Sequence, residues 1–209
     1  MADICRYWPS IRIALKHGIR FGEDVHIGDY IDYLGHLQYV NKDIRSPHWL
    51  VPEDFGRTNA HIIRLVTNRQ DKARRTRQAE DEKKAFEQAL KHEKKFLSEK
   101  HRYLGLVFQG GGIIIRPLQS IKDFREEANF MHHCVFSNGY YKMPNALILS
   151  ARLQDTGARL ETIEVNLNSF QVVQCRGKYN GKTAYHDQIL SIMQKAAPAI
   201  RRAKHSKTA

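Results

Sequence analysis

The sequence predicts an α+β protein: a helical N-terminal half with a long charged helix, followed by a mainly antiparallel sheet with flanking helices. Three observations carry that prediction. Apolar residues recur at helical spacing through the N-terminal region. A stretch of strong helix formers, low in Gly and Pro, follows it. From about residue 103 the apolar period then drops to two, the period of a strand. The expected organisation is a helical region with a long basic helix over 1–102, an α+β domain over 103–200, and a basic tail over 201–209.

In HIGDYIDYLGHLQYV, residues Ile27, Tyr30, Ile31, Leu34, Leu37 and Tyr39 follow helical spacing, and Asn41 ends the run. Pro47 and Pro52 bracket Trp49 in a loop. A further helix is expected near Pro52, with Glu53 and Asp54 in its first turn. Residues 57–102 hold 14 Lys and Arg against seven Asp and Glu, and read as one long helix or two joined ones. YLGLVFQ and GIIIRPL read as a hairpin divided at Gly110 and Gly111. QSIKDFREEANFM reads as a helix capped by Ser120, with Asp123 three residues on. ALILSARL, ETIEVNL and FQVVQCRG are three further strands, with turns at Asp155-Thr156-Gly157 and Asn168-Ser169. AYHDQILSIMQKAAPAIRR closes as a helix whose last turn Pro198 should disturb.

Composition narrows the function. Apolar residues make up 42% and aromatics 10% of the 209-residue chain, which excludes a wholly disordered protein. No apolar run approaches the ~18 residues of a membrane span. The N-terminus is interrupted by Arg6, Pro9, Arg12 and Lys16, unlike a secretory signal. Cys5, Cys134 and Cys175 form no CxxC pair, so a reduced, cytoplasmic setting without a structural zinc is expected. The net charge of +12 points to a polyanion, DNA or RNA, as partner. Within the long helix, Arg69, Lys72, Arg74, Arg75 and Arg77 form either a solvated charged face or an arm that tracks phosphates.

Candidate chemistry lies in the third zone. His133 follows a helix and precedes an aromatic loop; it is either a surface residue beside a buried cysteine or a general acid–base group. Successive strands each offer a polar face, bringing Arg152, Glu164 and Gln174 towards one another. Register decides whether they meet: a two-residue loop sets Glu164 opposite Val173, whereas an odd loop or a bulge sets it opposite Gln174. The alternative is a one-sided sheet whose polar face simply contacts water. The segment that follows favours a site. Gly177 and Gly181 allow close backbone approach, Arg176 and Lys178 bring positive charge, Asn180 donates and accepts, and Tyr179 offers a ring to a base. Residues 169–209 add eight basic residues against one acidic. There is no P-loop, no GxGxxG, no HExxH and no HxE with CxxC, so no nucleotide cofactor or metal is expected.

MHHCV, the aromatic loop, ILSAR, TIEV and QCRGKYN resemble the PcfJ-like proteins of bacterial conjugative plasmids, integrative elements and phages. IDYLGHLQYVNKD and VPEDFGRTNAHIIR resemble the helical region that precedes the family's C-terminal block, so the likeness spans roughly 26–182. Carried over position by position, the family's polar motif falls on His133, Cys134, Arg152, Glu164, Gln174, Gly177 and Asn180. The resemblance implies a mobile-element setting, with a protein partner in a mobile-element or defence-related complex, but no particular reaction. The expected function is nucleic-acid binding or processing. As an enzyme it would be a metal-independent nuclease, with His133, Arg152, Glu164 and Gln174 catalytic and Arg176, Gly177, Lys178 and Asn180 holding substrate. The alternatives are a non-catalytic conjugation adaptor and an enzyme acting on a small phosphorylated molecule.

Overall fold

The structure, a computed structural model, describes residues 2–205, without the side chains of residues 2 and 3; of the expected basic tail, 206–209 lie outside the described residues. Two compact units divide between Asp81 and Glu82. In the first, helices α1 (Ala2–Lys16), α2 (Ile27–Tyr39) and α3 (Pro47–Leu50) surround a core of Tyr30, Tyr33, Leu34, Leu37, Leu50 and Ile62. The buried tyrosine hydroxyls hold the proline-bracketed segment in place. Tyr30 donates to the Leu50 carbonyl at 2.7 Å and Tyr33 to that of Trp49 at 2.6 Å, so neither phenol is left unpaired.

The charged stretch is two helices, α4 (Phe55–Leu90) and α5 (Glu93–Leu104). α4 starts at Phe55 rather than Pro52, because Asp54 caps it by accepting from the Arg57 amide at 2.8 Å. The units part within α4. Phe96 and Tyr103 of α5 are buried in the second unit's two apolar clusters, so α5 belongs with the sheet.

The second unit is built on a five-stranded antiparallel sheet in the order β1 (Phe108–Gly110), β2 (Ile113–Pro117), β3 (Ala146–Leu153), β4 (Arg159–Asn166) and β5 (Val172–Arg176). The expected first strand is shorter than YLGLVFQ suggests, since α5 runs on to Leu104. Gly111 and Gly112, at φ +54° and +78°, make the β1–β2 turn. Helix α6 (Ile121–Met131) starts where expected: Ser120 Oγ accepts from the Asp123 amide at 3.1 Å, and Asp123 accepts from Gln119 N at 2.8 Å. Helix α7 (His186–His205) continues beyond Pro198, because Ile189, Met193, Ala196 and Ile200 bury one continuous face that outweighs the lost backbone bond. α7 covers the sheet face of Leu147, Leu149, Ile163 and Val165. Ile148 of the other face packs with α6.

Candidate active site

Strand alternation sends Thr162 and Glu164 of β4, and Gln174 and Arg176 of β5, to the α6 face. A bulge between Glu164 and Val165 sets their register: Glu164 stands opposite Gln174, and Thr162 opposite Arg176. Val173, the residue the bulge displaces, is 60% exposed. The preceding loop is shaped by Asn166, whose Oδ1 accepts from the amides of Asn168 and Ser169.

α6 ends in His132, which adopts the left-handed conformation at φ 52°. That reversal separates the paired histidines: His132 stays on the exposed side and His133 turns in. His133, Cys134, Tyr140, Glu164, Gln174 and Arg176, with Asn180, line a cleft of about 50 Å³ on the sheet. Among the described residues, the side chains of Glu164, Gln174, Arg176 and Asn180 make no hydrogen bond or ion pair with the rest of the chain. Four polar groups around one small cavity thus keep their hydrogen-bonding capacity free.

Behind the cleft, His133 Nε2 lies 2.9 Å from Thr162 Oγ1, which donates at 2.8 Å to Glu127 Oε1. Glu127 is fully buried and also accepts from Arg159 Nε at 2.8 Å, with Arg152 Nη2 at 3.8 Å. A carboxylate only accepts, so the Thr162 hydroxyl must donate to it, and the Thr162 oxygen is left to accept from Nε2–H. The chain thereby puts the imidazole proton on Nε2 and the lone pair on Nδ1, which is buried and has no partner. Burial pushes His133 below its ordinary pKa, against its own backbone and Glu127, which both pull upward. Burial pushes Glu164 above the ordinary carboxyl value, and raises Tyr140, where Glu164 and Cys134 add to the effect. Burial therefore favours the uncharged form of both groups, and the two shifts bring the imidazole and the carboxyl of one cleft closer together in proton affinity.

Of the residues expected in the site, His133, Glu164, Gln174, Arg176 and Asn180 meet in the cleft. Arg152 shares the α6 face without lining it. It lies four residues, about 13 Å, along β3 from Ile148, the partner of Glu164. There it bonds Ser150 Oγ at 3.2 Å and pairs with Glu127, so it reaches His133 only through Glu127 and Thr162. Gly177 is a packing position: a Cβ there would stand 3.1 Å from both the Leu160 oxygen and Thr183 Cγ2. Lys178 lies outside the cleft, its ammonium over the Phe130 ring. In the long helix, Arg69 donates to the Tyr39 carbonyl at 2.8 Å and Arg74 pairs with Asp71, whereas Lys72, Arg75 and Arg77 are exposed. Strand and loop patterns pass over Thr162 and Glu127. Glu127 had a signal, for it stands three residues after Phe124 and four before Met131, a carboxylate on the apolar face of α6.

The opposite sheet face holds a second buried polar cluster. Glu161 accepts from Cys175 Sγ at 2.8 Å, Thr183 N at 2.7 Å, Thr183 Oγ1 at 2.8 Å and His186 Nδ1 at 2.8 Å. Burial pushes its carboxyl up, but these bonds together outweigh it and hold the pKa below the ordinary value. The Cys175 thiol is pushed far up by burial and by its bond to Glu161. Glu161, Cys175 and His186 are the one His/Cys/carboxylate grouping among the described residues close enough to hold a metal, with ligand atoms within 4.8 Å of one another. As they stand, the thiol and imidazole hydrogens both go to Glu161, which makes the cluster a complete hydrogen-bond network joining β4, β5 and α7.

The family model for PcfJ-like protein matches residues 29–190, which include every cleft residue. No curated protein and no solved structure matches the chain.

Proposed function

The chain belongs to the PcfJ-like protein family, and from that premise we propose that it binds and cleaves nucleic acid by acid–base chemistry at a phosphodiester. The mobile-element setting implied by the sequence resemblance is part of the same reading. One observation carries it: His133, held through Thr162 by the buried Glu127, borders a cleft whose guanidinium, carboxyl and amide groups have no partners among the described residues. His133 takes the proton of the attacking hydroxyl or water, its buried Nδ1 being reached as the cleft loosens around the ring to admit substrate. Arg176 balances charge on the phosphoryl oxygens, Gln174 and Asn180 orient them, and Glu164 protonates the leaving oxygen as the P–O bond breaks. Among the described residues one carboxylate, Glu164, lines the cleft, too few hard ligands for a two-metal core. The +12 charge supports a polyanionic substrate, and exposed Lys72, Arg75 and Arg77 supply phosphate contacts on the long helix.

The test is end-labelled single- and double-stranded DNA and RNA incubated with wild type and His133→Ala, with product length read on a gel and binding measured over a salt series. Shortened products from wild type and intact products from His133→Ala, at equal binding, are expected. Equal turnover by the variant would remove His133 from the chemistry. Salt-sensitive binding without cleavage by either protein would leave an adaptor.

A further inference from the structure

Next to the cleft lies an aromatic ledge that the acid–base chemistry does not use. Tyr179 is 70% exposed and stacks flat on His132, with ring centroids 4.6 Å apart and planes 7° from parallel. With His132 against one face, that much exposure leaves most of the rest of the ring to solvent. Phe130, 46% exposed at the end of α6, stands nearby, and the Lys178 ammonium lies 5.7 Å from its centroid and 5.6 Å from that of Tyr179. The ledge is shaped by three left-handed residues, His132 at the end of α6 (φ 52°), Tyr179 (54°) and Asn180 (61°), of which Tyr179 is the strained one. Strain of this kind in residues other than glycine gathers where a ligand is received. An open groove of about 690 Å³ runs past His132 and Phe136 and shares His133, Cys134 and Asn180 with the cleft. Tyr179, Phe130 and Lys178 do not line this groove; it meets the ledge at His132 and leaves more room than the cleft for the rest of a bound molecule.

We propose that this ledge is a nucleobase subsite for single-stranded nucleic acid: a base next to the phosphodiester in the cleft stacks on the exposed side of Tyr179, and Lys178 holds the adjoining phosphate. The inference rests on the nucleic-acid reading and adds the strandedness. A ring standing clear of the surface can receive only a base whose own faces are free, and a duplex hides them. The His132 ring behind Tyr179 fixes its orientation, which lowers the ordering cost of binding.

The experiment is fluorescence anisotropy with short labelled single-stranded DNA, single-stranded RNA, the DNA duplex and an abasic strand of equal length that keeps every phosphate and carries no base. Wild type should bind at least one single strand about tenfold more tightly than the abasic strand, the scale of one stacked base, and more tightly than the duplex. Tyr179→Ala should bring that strand to the abasic level, and Tyr179→Phe should keep the preference. Unfolding midpoints of both variants are to match wild type, as expected for so exposed a side chain. Equal binding of base-bearing and abasic strands by wild type, or a preference that survives in Tyr179→Ala, overturns the subsite and leaves the polyanion reading intact. Duplex binding that is equal or tighter overturns the single-strand assignment. Failure to bind any of the four overturns both readings at once. The DNA and RNA arms identify which sugar the site takes.

Discussion

Replacing Glu127 with Gln changes one atom in the buried chain behind His133 and should alter both the ring's tautomer and the stability of the fold. At 2.8 Å and an effective dielectric of about 20, the attraction between Glu127 and Arg159 is about 6 kcal/mol before desolvation is counted. Gln keeps one acceptor oxygen, and Arg159 keeps Glu126 at 3.8 Å and some solvent exposure, so roughly 2–3 kcal/mol of stability should be lost. For a chain of this size that lowers the unfolding temperature by about 5–10 °C. The amide can also donate, so the Thr162 hydroxyl becomes free to turn its hydrogen towards His133 Nε2. The imidazole proton would then move to Nδ1, and the base would be lost. Glu127 is one of the influences that raise the His133 pKa against burial, so the variant should titrate even further below 6.5. Long-range proton–nitrogen NMR of the histidine rings reads tautomer and titration together, and thermal unfolding reads the stability. A His133 ring still protonated on Nε2, with an unchanged pKa in a variant that folds, would refute the coupling through Thr162.

Four further predictions rest on other parts of the molecule. Glu161→Gln leaves at least one buried donor of the Cys175, Thr183 and His186 set unpaired, and should cost about 2–4 kcal/mol by urea unfolding. Because the folded pKa of Glu161 lies below 4.5, its contribution is present above that pH and is lost as pH falls below it, and the variant should lack that loss. Lys100, 2% exposed with its ammonium on the Pro144 carbonyl, is pushed by burial from 10.5 to about 8, with Glu99 opposing. The unfolded chain therefore holds that proton more tightly, and stability should rise by about 3 kcal/mol between pH 8 and 10.5. Lys100→Met should flatten that rise in denaturant titrations. Finally, the triple change Lys72→Ala, Arg75→Ala and Arg77→Ala should weaken DNA binding similarly for all sequences. It should also reduce the slope of log affinity against log salt by up to about 0.9 for each phosphate no longer neutralised. Arg69→Ala should instead lower the unfolding midpoint, because its guanidinium holds the carbonyl of Tyr39.

Much of the second unit is legible because local chemistry and tertiary packing agree there. Ser120 and Asp123 start α6 as their spacing predicts, and Leu147, Leu149, Ile163 and Val165 go to the core as their alternation predicts. The cleft residues Glu164, Gln174 and Arg176 are visible as polar positions opposite those apolar ones. What fails is judgement of distance. Arg152 has the right face but the wrong place along β3, and no periodicity tells a near row from a far one. Within the glycine-rich motif, Gly177 supports packing and Lys178 stands outside the cleft beside the Phe130 ring. The second buried cluster shows the same gap, since Glu161, Cys175 and His186 come from two strands and a helix and no spacing links them.

By itself, then, the sequence determined the α+β class, most of the helix and strand segments, the polar face of the sheet and the basic character of the chain. These depend on side-chain period, capping chemistry and charge, all of which act over a few residues. The tertiary structure alone decided the β4–β5 register, which of the two adjacent histidines turns inward, and the burial of Glu127 behind Thr162. A single displaced residue, Val173, sets Glu164 opposite Gln174, and a single left-handed residue, His132, sends His133 into the cleft. Such choices are made by packing between segments distant in the chain, because a one-residue slip exchanges the two faces of a strand and only the filled core tells which face is which.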